Sequence, residues 1–231
     1  MLHRLLLTAA AAMCFAAAAA GAPYLDREKG FSVEVPEGWT QQPSNDFPLD
    51  LRLLSPRRET TRGMCLLMSQ ERSNTKNMTQ AEINAAMKDQ ANEAFWRAIL
   101  TGDQSARVTD LTITVAQETR GERTVGRATV QGTATRENVA LPFQFEMMLQ
   151  AVPGYSYMTH CLVKRDQVAV EAADIKTVID THTPTGSAGV IASVLPPRGA
   201  ATPVAAPHPI FDAEADAFRA SLREILKRTS R

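Results

Sequence analysis

The side chains that could do chemistry in this chain are few and do not gather into a set. The cysteines are Cys14, Cys65 and Cys161, and the histidines are His3, His160, His182 and His208. His160 and Cys161 are adjacent in a strand-like run, so their side chains point to opposite faces. They cannot easily share a metal ion or act as base and nucleophile. A thiol protease would need Cys65 or Cys161 free. His182 falls near a helix C-terminus, where a cation meets the dipole favourably. No Gly-x-Ser-x-Gly elbow, phosphate loop, dinucleotide fingerprint or His-Glu-x-x-His helix occurs. The expectation is a protein that is not an enzyme and holds no cofactor or metal. Trp39, Trp96, Tyr155 and Tyr157 could line a ligand pocket, although aromatics at strand or helix spacing more often fill a core. Met147 and Met148 face opposite ways on one strand, which puts one in the core and makes no copper site.

Residues 1–22 combine a short basic start at Arg4, an apolar run over 5–20 and small residues to finish. That is the layout of a secretory signal peptide. The apolar run is too alanine-rich and short for a membrane span, which needs roughly 20 strongly apolar residues. Cleavage after Ala20 avoids leaving Pro23 next to the cut, as cleavage after Ala22 would. Cys14 raises a lipid-anchored alternative, but Met13 precedes it where that processing wants a small residue. The expected location is periplasmic or secreted. Cys65 and Cys161 then remain, and an even count in an oxidising compartment favours a disulfide. Two buried free thiols are the alternative.

The chain carries 25 basic and 25 acidic residues, so no global field draws it to nucleic acid or to an anionic membrane. No nucleic acid partner and no membrane contact are expected. Arg57, Arg58 and Arg62 form one basic cluster, and Arg120, Arg123 and Arg127 another. Glu59, Glu118 and Glu122 interrupt them, and both read as solvated hairpin ends.

The elements that must position these residues follow from periodicity. Phe31-Ser32-Val33-Glu34-Val35 alternates, and Pro36-Glu37-Gly38 ends it before Trp39. Leu49, Leu51 and Leu53 make a second run, Ser55-Pro56-Arg57-Arg58 a turn, and residues 63–70 a more continuously apolar strand. Residues 79–100 read as one helix, opened by a Thr79/Glu82 capping box with a Met78/Ile83 staple. Its apolar face is Ile83, Met87, Ala91, Ala94, Phe95, Ala98 and Ile99, and Gly102 stops it. Leu111, Ile113 and Val115 begin a meander. Residues 125–133 continue it, with Gly126 and Gly132 as bulge candidates. Val139, Leu141, Phe143, Phe145, Met147 and Leu149 share one face of the next strand. Pro142 requires a bulge or an edge-facing bond there. After residues 155–164, a closing helix runs from Asp166 as N-cap to about His182, burying Val168, Ala172, Ile175, Val178 and Ile179.

From Pro184 the composition turns to Ala, Pro, Gly and Ser, so residues 184–211 read as a linker. Val190, Ile191, Val194 and Leu195 are an apolar island within it. Residues 212–229 read as an amphipathic helix whose stripe is Ala215, Phe218, Leu222, Ile225 and Leu226. About 17 residues are marginal as an isolated helix and want their apolar face covered. The stripe can fold back on its own domain, dock on a partner or second copy, or lie on a membrane, for which its mixed charge suits it poorly. Phe218, Leu222, Ile225 and Leu226 are the expected docking face.

Gly30-Phe31-Ser32-Val33-Glu34-Val35-Pro36-Glu37-Gly38-Trp39 resembles the opening of PsbP-like domains, whose first strand ends in Pro-x-Gly-Trp. The resemblance covers about residues 24–183 and extends to bacterial DcrB-like envelope proteins. It implies an α+β fold, an antiparallel sheet with covering helices in α/β/α layers. It also implies a non-catalytic role in protein binding, with no functional residue to carry over. The order of strands, helix, meander and helix points independently to α+β layering. The function expected is a protein-binding or assembly module of the cell envelope, contacting an envelope partner through the C-terminal helix. The alternative is a small-ligand carrier with a cleft between sheet and helices.

Overall fold

A computed structural model describes residues 23–44, 49–101, 107–136 and 139–185. Its strands are β1 (Pro23–Asp26), β2 (Phe31–Glu34), β3 (Thr40–Pro43), β4 (Leu51–Leu54), β5 (Met64–Glu71), β6 (Arg107–Arg120), β7 (Arg123–Arg136), β8 (Val139–Val152), β9 (Tyr155–Lys164) and β10 (Thr183–Pro184). Its helices are α1 (Arg58–Thr61), α2 (Gln80–Gln90), α3 (Glu93–Thr101) and α4 (Val168–Thr181). The large sheet has the order β3-β4-β5-β9-β8-β7-β6 and the small one β1-β2-β10. Every described pairing is antiparallel. The fold is α+β.

Both faces of the large sheet carry a core. On one, Leu66, Met68, Phe145, Met147, Leu149 and Met158 meet Ile83 and Met87 of α2 and Trp96 and Ile99 of α3. On the other, Leu53, Leu67, Met148, Tyr157 and Val163 meet Ile175, Val178 and Ile179 of α4, with Phe31 and Val33 of β2 and Trp39 beside them. The central strands β5 and β9 are therefore buried on both sides, which is why residues 63–70 read as continuously apolar. Met147 and Met148 are both core, one in each. Cys65 and Cys161 stand directly opposite on β5 and β9, with Cα atoms 4.0 Å apart, and form a disulfide.

Four expectations are corrected. Residues 79–100 are two helices. The capping box at Thr79 and Glu82 starts α2, but the chain breaks at Ala91 and Asn92, whose Oδ1 accepts from the Phe95 N–H to cap α3. The break resets the helical phase. Ile83, Met87, Ala91 and Ile99 stay buried, but Ala94 and Ala98 turn outward and Trp96 and Leu100 replace them. The closing helix starts at Val168 after a 3-10 turn, and Asp166 pairs with Lys164 instead of capping. Gly126 and Gly132 mark no bulge, since β7 pairs with β8 without interruption; the register shift lies in β6, between Thr109 and Thr112. These glycines admit close neighbours instead. A Cβ on Gly126 would stand 2.8 Å from Ala91 Cβ, and one on Gly132 2.8 Å from Phe143 Cζ.

Pro142 meets Thr133 of β7 but lies beyond the reach of β9, whose pairing with β8 begins at Phe143, so that stretch of β8 is an edge. The short strands β1, β3 and β10 carry no periodicity long enough to read. Pro184 is still paired with β2, and the Thr185 N–H donates to Gly30 O. Residues 1–22, Gly102, the apolar island and the 212–229 helix with Phe218, Leu222, Ile225 and Leu226 lie outside the described residues.

The disulfide closes a loop spanning 96 positions, for which the chain-entropy model gives up to about 4–5 kcal/mol. Reduction, or the double change Cys65→Ala with Cys161→Ala, is expected to lower the urea midpoint markedly. An unchanged midpoint under reductant would contradict that.

Candidate functional site

Helix α4 is pinned to the sheet at both ends, and the pins create a cleft. At its N-terminal half the Glu171 side chain is fully buried. Its Oε1 accepts from Ser55 Oγ at 2.6 Å and Thr61 Oγ1 at 2.7 Å, and its Oε2 accepts from Arg57 Nη2 at 2.8 Å. Burial pushes this carboxyl up, but the hydrogen bonds from Arg57, Ser55 and Thr61 outweigh it and hold the group below the usual range. Asp174, one turn on, accepts from Arg57 Nη2 at 2.6 Å and from the Trp39 indole at 3.1 Å. At the C-terminal end Arg120 Nη1 donates to the carbonyls of Ile179 and Asp180, at 2.9 and 3.2 Å. A guanidinium there satisfies open helix carbonyls and complements the macrodipole. Arg127 joins it on Asp180 Oδ1 at 3.2 Å.

Arg120 and Arg127 are thus drawn in as clamps rather than solvated, while Arg57 stays exposed as expected but is paired with Glu171 and Asp174. Glu118, the neighbour in sequence, does pair with Arg120 and Arg127, but charge patterning does not see the further acids Glu171, Asp174 and Asp180 on α4, which lies 114 positions from Arg57. Arg123 donates to Thr183 Oγ1 at 3.4 Å and is likewise drawn in. Arg58 fits the expectation and stays exposed, beside Glu59.

Between the pins, α4 stands off β7 and β8 to leave a cleft of about 180 Å³. Val163, Val168, Ala172, Ile175 and Ile179 form its apolar wall, and Arg127, Gln144, Glu146 and Lys176 its polar side. A ladder of side chains fixes that polar side. Gln131 Nε2 donates to Gln144 Oε1 at 2.8 Å, Gln144 Nε2 to Glu146 Oε1 at 2.7 Å, and Thr129 Oγ1 to Glu146 Oε2 at 2.9 Å. Beyond it the same sheet face continues uncovered over β6 with Thr112 and Thr114 exposed, opposite Gln131 and Thr129. The cleft's acid is hydrogen-bonded, and Arg127 and Lys176 are paired with Asp180. This lining can hold a side chain or a short chain segment.

The sequence-predicted chemical residues lie elsewhere. His160 is fully buried on the α2/α3 side near the Phe145 ring, opposite Cys161. His182 caps α4 and is fully buried, sharing a hydrogen bond with the Thr159 hydroxyl. Burial, then the charges of Arg120 and Arg123, lowers its pKa to about 3, so it is neutral and no cationic partner of the helix dipole. Burial alone lowers that of His160 to about 3. Trp39, Trp96 and Tyr157 are core, Tyr155 stacks half-buried on Tyr157, and none lines the cleft. Among the described residues, no group of three or more His, Cys, Asp or Glu could hold a metal ion. No described helix is long and apolar enough to cross a membrane. Gln144, Glu146, Val163 and Lys176 are the cleft residues that sequence reasoning misses, and Arg127 is named there only as a member of a charge cluster. For Gln144 and Glu146 the only signal is their place on the polar phase of β8.

No protein-family model and no curated protein matches the chain. Solved structures do. The solution structure of cyanobacterial PsbP (CyanoP) from Synechocystis is similar with a TM-score of 0.49 and 12% identity, over 71% of this chain and 91% of that one. LpqN of Mycobacterium tuberculosis, involved in cell envelope biogenesis, gives 0.42 and 10%, over 71% and 84%. A Bacteroides thetaiotaomicron protein gives 0.42 and 13%, over 71% and 48%. A PsbP protein is therefore among the structures this chain resembles, while the DcrB-like part of the resemblance finds no support in these matches.

Two predictions follow from the buried charges. Glu171→Gln keeps the shape but turns an amide N–H₂ toward donors, and should cost about 2–4 kcal/mol in urea unfolding. Arg58→Ala, on the exposed neighbour, should stay within about 0.5 kcal/mol. For His182, the native ring stays neutral to about pH 3 while the unfolded chain takes up its proton below about pH 6.5. Stability must fall as pH drops through that interval, by up to about 1.4 kcal/mol per unit for each such histidine. His182→Asn keeps an acceptor for Thr159 and should flatten the fall in melting temperature between pH 6.5 and 4. An unaltered slope would show that His182 titrates normally.

Proposed function

We propose that this chain is a non-catalytic protein-binding module of the cell envelope, working in the periplasm or after secretion. The observation that carries the reading is the α4 cleft with its continuation over the open face of β6 and β7. It joins an aliphatic wall to amide and hydroxyl groups held in fixed positions, while among the described residues His160, His182, Cys65 and Cys161 are buried away from it. Its carboxylate, Glu146, is hydrogen-bonded and its amine, Lys176, is paired with Asp180, which supports a binding surface over a catalytic one. The disulfide supports an oxidising compartment. The stripe Phe218, Leu222, Ile225 and Leu226 remains a second proposed contact, on an envelope partner, and rests on sequence alone.

The volume of the α4 cleft supports this reading over a small-ligand carrier. Sites for small molecules usually run to about 300–1,000 Å³, and this cleft has about 180 Å³. That room suits one inserted partner side chain better than a carried molecule.

A photo-crosslinking residue placed at Ala172 in the full chain tests the reading in cells, with Val170 on the exposed side of α4 as control. A discrete protein adduct from position 172 and none from 170 is the expected result. No adduct, together with a co-purified small molecule that Ala172→Trp expels in native mass spectrometry, would replace the module with a carrier.

A further inference from the structure

The two edges of the large sheet are unequal. At one end β3 is four residues long and finishes at Pro43, two common ways of blunting an edge. At the other end β6 is fourteen residues long, and among the described residues no strand pairs with its outer side. The register shift between Thr109 and Thr112, with Asp110 in the left-handed region, bends one end of β6 out of line. Glu118 and Arg120 put charge on the other end. The stretch between them, Leu111-Thr112-Ile113-Thr114-Val115-Ala116-Gln117, has no charge, no proline and no glycine. Natural proteins seldom leave such a strand open, because its free N–H and C=O groups template pairing with another chain. Leu111, Ile113 and Val115 pack on the α2/α3 core yet stay only half-buried, while Thr112, Thr114 and Ala116 are exposed. A shallow groove of about 370 Å³ runs beside the edge, between Ala91, Asn92 and Glu93 on one side and Ile113 and Val115 on the other.

The edge is complementary to itself. Leu111-Thr112-Ile113-Thr114-Val115 reads nearly the same in both directions about Ile113. In an antiparallel pair of two copies centred there, Ile113 meets Ile113, Thr112 meets Thr114 and Leu111 meets Val115. Partners are an even number of positions apart, so the apolar set stays on one face in both copies. Thr–Thr and paired aliphatic side chains are favourable cross-strand neighbours. Other centres fit worse. One at Thr114 sets Asp110 against Glu118, with like charges opposite. One at Val115 sets Thr112 against Glu118 and Ile113 against Gln117. A closed two-fold interface demands this self-complementarity, and a strand from an unrelated partner does not. With 25 basic and 25 acidic residues, the chain has no net charge to hold two copies apart.

We propose that two copies of this chain join edge to edge through β6, antiparallel about a two-fold axis at Ile113, so that the large sheet runs unbroken from one copy into the other. The axis stands perpendicular to the sheet, which puts both α2/α3 layers on the same side. The two grooves then meet across the seam, over the paired Leu111, Ile113 and Val115 side chains, and that half-buried apolar surface is covered. Thr112 and Thr114 line the seam on the opposite face, the side that carries α4. This assignment does not rest on the reading of the α4 cleft.

The mass of the full chain by light scattering, read across a dilution series, tests it. The wild type is expected to be a dimer that dissociates on dilution. The double variant Thr112→Lys, Thr114→Lys changes two exposed positions, which a monomer tolerates, but sets lysines opposite one another at the seam. Its dimer dissociation constant should rise at least about tenfold. Thr112→Glu with Thr114→Glu should act alike, and mixing the two variants should restore the dimer, because each lysine then faces a glutamate. Hydrogen exchange locates the contact. The outward amides of 111–117 should slow only where the dimer forms, with β8 and β9 unchanged as the control for folding. A wild type still monomeric at about 0.1 mM would overturn the proposal; protection of 111–117 in that monomer would assign the edge to a segment of its own chain. A dimer undiminished in both variants would place the contact elsewhere, and a mixture that stays monomeric would overturn the pairing about Ile113.

Discussion

One buried carboxylate constrains the placement of almost everything on the α4 side of the sheet. Glu171 has no solvent exposure, and a charge so placed costs several kcal/mol unless it is paired and hydrogen-bonded. Ser55, Thr61 and Arg57 meet that demand from a single connection between β4 and β5. That connection must therefore fold tightly. Arg62 takes a left-handed conformation to close α1, and the Thr61 hydroxyl accepts from the Gly63 N–H. Gly63 cannot be larger, since a Cβ there would stand 2.8 Å from Glu171 Oε1. Asp174 extends the same charge pattern to Trp39, so the Pro-x-Gly-Trp stretch is fastened to α4 as well as packed beneath it.

The pin at the other end completes the geometry. Arg120 and Arg127 come from the far strands β6 and β7, yet both converge on Asp180. To reach it they cross the face that α4 leaves open, and so they limit how far that face can be covered. Helix α4 spans a sheet whose strands are longest on the β6–β8 side, and a single helix about 10 Å wide cannot shade all of them. The cleft is the place where its cover ends. Its position follows from the two arginine clamps and the carboxylate knot together, not from a separate design of the pocket wall.

Much of this was legible in the sequence and some was not, for identifiable reasons. Alternation in residues 31–35 and 139–149 marks strands because one phase of each is apolar, and β5, buried on both sides, stands out by continuous apolarity, whereas β9, equally buried, mixes Ser156, Thr159 and His160 with its apolar residues. The Thr79/Glu82 box is legible in the sequence because capping is local. The break at Ala91 and Asn92 was hidden, since a window of helical periodicity cannot see that Asn92 caps a second helix. Gly126 and Gly132 were read as bulges because a glycine's local conformation is visible in sequence and the neighbour that crowds it is not. The arginines were misjudged for the same reason. Glu118 is near in sequence, but their partners on α4 are distant, and only topology brings those close. Gln144 and Glu146 carried no mark beyond strand phase.

A cleft fixed in this way differs physically from one that opens. Both ends of α4 are held by charge-assisted hydrogen bonds, and its middle is packed through Ile175, Val178 and Ile179. The wall and the polar ladder are therefore already ordered before anything arrives. Association then loses little extra side-chain freedom, a cost that otherwise takes about 0.5–1.5 kcal/mol for each group ordered on binding. The same rigidity works against engulfing a molecule, because widening the cleft would break a clamp or expose Glu171 unpaired. A surface with fixed relief and little depth is suited to reading the shape of a partner, and that physical character favours docking over carriage.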